Sequence, residues 1–210
     1  MRGSYDEQIV LDIRRTFPEV PWFEDHLETL RGILNVFSVV NEGFGYPQGL
    51  NYLAFPLFYV YYNDNPKTAV SDTLYSLQAL VRVVLPLYPL DAKDTTAIET
   101  IRSVASLVVL KCYEEDSNLS VLFSDMHMPF VTSLVSSIIP TMYANVFPLQ
   151  DTLLLWDEII GSSCKAMFKH VISILVRAIM YHKNMFLHLP IDKSMQLFQQ
   201  TLRESISVCI

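Results

Sequence analysis

Apolar residues recur at every third or fourth position in one stretch of this chain after another, and almost nowhere at every second position. That period belongs to a helix burying one stripe, so the chain reads as all-α. Tyr5 to Arg15 sets Ile9, Ile13 and Thr16 on one face and ends before Pro18. From Trp22 the set Phe23, Leu27, Leu30, Leu34 and Phe37 predicts a long amphipathic helix to Val40, with Pro21 near its start, where a missing amide costs little. Asn41 to Pro47 is a loop by its glycines and proline. A helix restarts near Gln48 and runs through Tyr62, kinked or interrupted at Pro56.

Asn63-Asp64-Asn65-Pro66 is a turn and cap. The next helix reaches Leu85 with Val70, Leu74, Leu77, Val81 and Val84 inward. Pro86 and Pro89 break the chain. Asp94 then caps a helix through Tyr113, with Ile98, Ile101, Ala105, Val108 and Val109 on one side. Glu114-Glu115-Asp116 reads as a solvated connector. Further helices are expected at Leu119 to Met126, Phe130 to Asn145, Gln150 to Ile160, Cys164 to His182 and Asp192 to Val208.

The length, 210 residues, suits one domain over residues 1–210, expected to form two helical lobes, residues 5–115 and 116–210. Half the residues (51%) are apolar and 18% are charged, which is ample for a large core. Met1 to Ser4 read as a cloning scar, and the charged Asp6 and Glu7 that follow rule out a signal peptide.

A formal charge of −7, with Arg14-Arg15 as the lone basic pair, excludes a nucleic-acid binder, because phosphate contacts need clustered Lys and Arg. It suits a solvated cytosolic surface. No basic amphipathic helix marks a membrane-surface protein. Two uncharged stretches, Gly43 to Asn63 and Met126 to Gln150, are long enough to span a bilayer, yet Pro, Asn, Gln, Ser and Thr interrupt both. Cys112, Cys164 and Cys209 are too far apart for a CxxC knuckle and odd in number, so buried free thiols are expected. The five histidines fall at no zinc-ligand spacing, and no metal site is expected. GxxxxGK[ST], HExxH and GxSxG are missing, and Gly43, Gly45 and Gly49 make no GxGxxG.

Two short segments stand out. In Ile9-Val10-Leu11-Asp12-Ile13-Arg14-Arg15-Thr16, Asp12 and Arg15 are three apart and share a helix face, so the carboxylate can hold the guanidinium. In Gly45-Tyr46-Pro47-Gln48-Gly49-Leu50-Asn51, a glutamine sits where a glycine-bearing loop enters a helix, able to project outward. Taken singly, these are an ion pair and a helix start.

In this order they resemble the TBC family of Rab GTPase-activating domains, which carry IxxDxxRT and then YxQGMN. Ile9, Asp12, Arg15 and Thr16 match the first; Tyr46, Gln48, Gly49 and Asn51 match the second, with Leu50 in place of methionine. Phe147-Pro148-Leu149 and Leu155-Trp156-Asp157-Glu158 look like the family's later FPL and WD segments. Three departures stand beside these. No RxxxW segment precedes Ile9; Ile138-Ile139, beside Pro140, replaces an aromatic pair; and Leu154 stands for the arginine before WD.

The resemblance implies an all-α fold and a GTPase-activating function. Arg15 would be an arginine finger and Gln48 a glutamine finger, both supplied in trans, with Asp12, Thr16, Tyr46, Gly49 and Asn51 supporting them. Arg14 is the natural rival of Arg15, though the spacing from Asp12 to Thr16 favours Arg15. The implied partner is a Rab-family small GTPase that brings its own GTP and Mg2+, so no cofactor is expected here. Vesicle trafficking, in the cytoplasm or peripheral to endomembranes, is the implied setting. The alternative is a catalytically silent scaffold of the same fold that binds a partner protein.

Overall fold

Among the described residues, most segments with the three-to-four residue period form helices whose apolar stripe turns inward. The computed structural model describes residues 5–88, 95–161 and 164–209. The expected scar at Met1 to Ser4, Pro89 and the Asp94 cap lie outside them. Ten α-helices occur among the described residues: α1 (Asp6–Ile13), α2 (Leu27–Val40), α3 (Leu50–Asp64), α4 (Ala69–Val84), α5 (Thr95–Glu115), α6 (His127–Ile138), α7 (Leu149–Gly161), α8 (Cys164–Tyr181), α9 (Lys183–His188) and α10 (Ile191–Cys209). Short 3-10 turns cover Pro21–His26, Leu85–Leu87, Ser117–Phe123 and Ile139–Thr141. No strand is present among the described residues. The fold is all-α.

One buried cluster runs from Ile9 on α1 to Leu202 on α10. α1 lies on α2 and α3, and α3 packs along α4. α5 sits against α6 and α8, and α8 carries α10. α7 touches α3, and α8 touches α4, so the early and late helices share contacts. No single helix among the described residues is long and apolar enough to cross a membrane. The segments Ser117–Phe123 and His127–Thr141 reach that length and composition only as a pair bent by 83°.

Several local expectations are corrected. The helix expected from Trp22 begins instead as a 3-10 turn and becomes α-helical at Leu27. Trp22 there stacks on His26 with ring centroids 3.9 Å apart and packs edge-on to Phe23, Tyr59 and Tyr62. Pro56 neither ends nor interrupts α3. A proline inside a helix costs roughly 3 kcal/mol, and burial of its neighbours Leu53, Ala54, Phe55 and Phe58 offsets that. Val70 and Ile98, expected inward, are exposed; the stripes are led instead by the smaller Ala69 and Thr73 on α4 and Ala97 on α5.

Glu114 and Glu115 complete α5 rather than forming a connector. Asp116 caps the next turn through the Asn118 amide at 3.0 Å and pairs with Lys183 Nζ at 2.8 Å. The helix expected over Phe130 to Asn145 starts earlier, at His127, and stops at Ile138. Pro140 has no amide to continue it, and Met142 and Tyr143 turn left-handed. Leu119 to Phe123 is 3-10 rather than α, and α9 had no counterpart in the expected helices.

Candidate functional site

α1 ends where Arg15 N takes the Asp12 carbonyl at 3.2 Å, tightening the last turn, and Phe17 adopts a left-handed φ of 48°. Arg14 and Arg15 therefore leave the helix on its exposed side. Asp12, one turn back, is buried with 2% exposure. Its Oδ1 accepts from Arg15 Nη2, and its Oδ2 accepts from the Tyr46 hydroxyl at 2.9 Å. The Thr16 hydroxyl donates to the Asp12 carbonyl at 2.7 Å and accepts from Asn51 Nδ2 at 2.6 Å.

Asp12, Thr16, Tyr46 and Asn51 thus make one buried polar ring that staples the end of α1 to the start of α3. In a low-dielectric setting such a ring specifies its geometry, because any broken bond strands a buried polar group. Burial, and then the adjacent Asp12 carboxylate, push the Tyr46 phenol well above the usual tyrosine range. Tyr46 is therefore a committed donor at neutral pH.

Gln48 lies between two left-handed glycines. Gly45 has φ 66°, and a Cβ there would run into the Tyr5 ring. Gly49 has φ 98° and begins α3; a Cβ there would sit 3.0 Å from Thr141 Cγ2. Positive φ favours glycine at both positions, and a side chain at Gly45 would displace the Tyr5 ring while one at Gly49 would crowd Thr141. The Gln48 side chain is exposed, and its carboxamide has no hydrogen-bond partner among the described residues.

Arg15 and Gln48 line the same cleft, of about 650 Å³. Pro47, Gly49, Asn51 and Tyr52 continue the near wall; Ser136, Ser137, Pro140, Thr141 and Asn145 form the far wall, and Leu87, Tyr88 and Ile101 complete it. Arg15 is 60% exposed despite its bond to Asp12. Arg14 is exposed too but is absent from the lining. On its other side Arg15 borders a second hollow, of about 300 Å³, reached over Tyr52 and Asn145 and closed by Glu19 and Phe147. Glu19 Oε1 also accepts the Leu149 amide at 3.2 Å, tying the segment after Arg15 to α7.

All seven residues singled out in the sequence meet here. Arg15, Gln48, Gly49 and Asn51 line the cleft, while Asp12, Thr16 and Tyr46 stand behind it. Tyr52, in the first turn of α3, lines the same cleft and was not singled out from the sequence. Nor were Tyr88 and the far wall, which no motif marks.

Comparison with known proteins bears on this arrangement. The Rab-GTPase-TBC domain family matches residues 2–187. Growth hormone-regulated TBC protein 1 of Rattus norvegicus is 26% identical over 172 residues, covering 79% of this chain and 55% of that protein. The Homo sapiens protein of the same name is 25% identical over 181 residues, covering 81% and 48%. Its Xenopus tropicalis counterpart is 23% identical, covering 80% and 47%. The chain spans about half the length of these relatives.

Proposed function

The chain belongs to the Rab-GTPase-TBC domain family, and from that premise we propose that it accelerates GTP hydrolysis on a Rab-type small GTPase. Arg15 and Gln48 enter the partner's nucleotide site together. The observation that carries this reading is that two exposed polar side chains, from separate segments, line one cleft.

GTP hydrolysis needs a positioned water and stabilised phosphoryl charge more than covalent help from protein. The Arg15 guanidinium is planar and has five donors, so it bridges oxygens on the β- and γ-phosphates as charge develops there. Asp12 holds one edge of that fork and leaves the remaining donors for phosphate. The Gln48 carboxamide, with a donor and an acceptor both uncommitted, orients the attacking water. Nucleotide and Mg2+ come with the GTPase. An arginine finger contributes roughly 10³ to 10⁵ in rate, or about 4 to 7 kcal/mol.

Single-turnover GTP hydrolysis across a panel of purified Rab GTPases tests the proposal. Acceleration by the wild-type chain, lost in Arg15→Lys and much reduced in Gln48→Ala, is expected. Acceleration that survives both substitutions refutes the assignment. A chain that binds a Rab without speeding hydrolysis is a scaffold instead.

A further inference from the structure

Among the described residues, backbone with positive φ occurs at five positions: Phe17, Gly45, Gly49, Met142 and Tyr143. All five fall in the three segments that wall the cleft. Two of them are consecutive and neither is glycine, although L side chains disfavour this region. Met142 has φ 48° and ψ 46°, Tyr143 has φ 68°, and both side chains are fully buried. Strain of this kind persists only where surrounding contacts over-determine it.

Those contacts come from two later helices. Trp156 Nε1 on α7 donates to the Met142 carbonyl at 3.0 Å. The Tyr143 hydroxyl donates to the Val171 carbonyl on α8 at 2.6 Å. All four groups are buried, so neither bond has water as a substitute. The turn they fix carries Thr141 on one side and Asn145 on the other. Thr141 Cγ2 lies 3.0 Å from where a Gly49 Cβ would sit, and the Tyr88 hydroxyl donates to the Pro140 carbonyl at 3.1 Å. The far wall is therefore pressed against the residue that follows Gln48.

We infer that Trp156 and Tyr143 are positioning residues: through the left-handed turn at Met142-Tyr143 they press Thr141 against Gly49 and so set where Gln48 stands in the cleft. The catalytic part of this inference rests on the function proposed above; the mechanical part does not. Among the described residues no side-chain bond holds Gln48, so its place is set by backbone, and the backbone of its loop leans on this wall. Because displacement by about 1 Å can cost on the order of 100-fold in rate, a small shift of the wall is felt at the chemistry.

Trp156→Phe keeps the ring volume near and deletes the indole donor. Amide exchange on the full chain, read by mass spectrometry, is expected to quicken about tenfold over residues 140–147 and 45–52 while α4 stays protected. Single-turnover hydrolysis with a responsive Rab is expected to lose about tenfold in maximal rate, with the half-saturating GTPase concentration within about twofold. In a Gln48→Ala background the same change should cost nothing further, because both substitutions remove one function. Tyr143→Phe, which deletes the bond to Val171, should repeat the pattern and serves should Trp156→Phe not fold.

Exchange at 45–52 that is unchanged, or that quickens equally everywhere, overturns the inference, as do multiplicative rate losses in the double variant. A wild-type chain that accelerates no GTPase, but whose 45–52 exchange still responds to Trp156→Phe, would refute the proposed activity and leave the wall-to-loop coupling intact.

Discussion

The two segments that present Arg15 and Gln48 solve the same problem by opposite means. Arg15 is aimed by side chains: the buried Asp12 carboxylate grips it, and Tyr46 holds that carboxylate from behind. Gln48 is aimed by backbone: left-handed glycines flank it, and its own carboxamide is uncommitted. The difference fits the two proposed chemistries. A guanidinium serves by charge and can spare one edge to a carboxylate. An amide proposed to orient water uses one N–H and one carbonyl lone pair, and aiming it by backbone leaves every donor and acceptor open.

The largest effects come from removing the two groups themselves. Arg15→Lys should lower stimulated hydrolysis by about 10³ or more, and Gln48→Ala by about 10². Equal losses would erase the contrast between a charged and a neutral group.

Asp12→Asn and Gly49→Ala separate the two means of aiming. Asp12→Asn weakens the grip on Arg15, and a loss of about 10- to 100-fold in maximal rate is expected. Amide exchange over residues 45–52 should scarcely change. Gly49→Ala forces a side chain into φ 98° and against Thr141. It should cost roughly 2 kcal/mol in denaturant unfolding, about half from the left-handed backbone, and should quicken exchange around Gln48 while leaving α1 alone. If Asp12→Asn loosens the Gln48 loop as much as Gly49→Ala does, Arg15 and Gln48 share one support.

Tyr46→Phe is a gentler probe of the ring joining the segments. It removes one donor to the buried carboxylate, and roughly 1 to 2 kcal/mol of stability is expected to go with it. The smallest effect is its pH dependence. Burial and the Asp12 carboxylate hold the Tyr46 proton in the folded chain beyond the pH where an ordinary tyrosine releases it. The unfolded chain releases that proton first, so stability is lost as pH rises past about 10. The stability gap between wild type and Tyr46→Phe should therefore shrink in that range and stay constant below it. A gap that widens would contradict a raised phenol.

Much of the near wall was legible because its chemistry is local. Asp12 and Arg15 lie one helical turn apart, so their pairing follows from spacing alone. The glycines around Gln48 mark a turn whatever surrounds them. Whether Arg14 or Arg15 faces the cleft was not legible, since both follow the last residue of α1 and the direction of exit depends on Phe17. Nothing in the sequence marks Ser136, Ser137 or Asn145. Ser136 and Ser137 reach the cleft from the last turn of α6, and Asn145 because two left-handed residues redirect the chain beyond Pro140, a turn of which Met and Tyr give no sign. Trp156 belongs to a legible motif, but its bond to the Met142 carbonyl does not follow from that motif.

Most of the helices and buried stripes follow from the order of residues alone, because they depend on neighbours three and four residues away. Exceptions arise where distant packing intervened, among them Pro56 carried within α3, Trp22 drawn into a 3-10 turn by rings from α3, and α6 stopped at Ile138. The cleft, by contrast, exists only once the segments have packed together. Tyr46 reaches Asp12, Asn51 reaches Thr16, and Thr141 abuts Gly49 across separations that no periodicity encodes. Such contacts exist because burial of the shared core brings the segments together, and a buried polar group must then find its partner wherever the fold has put one.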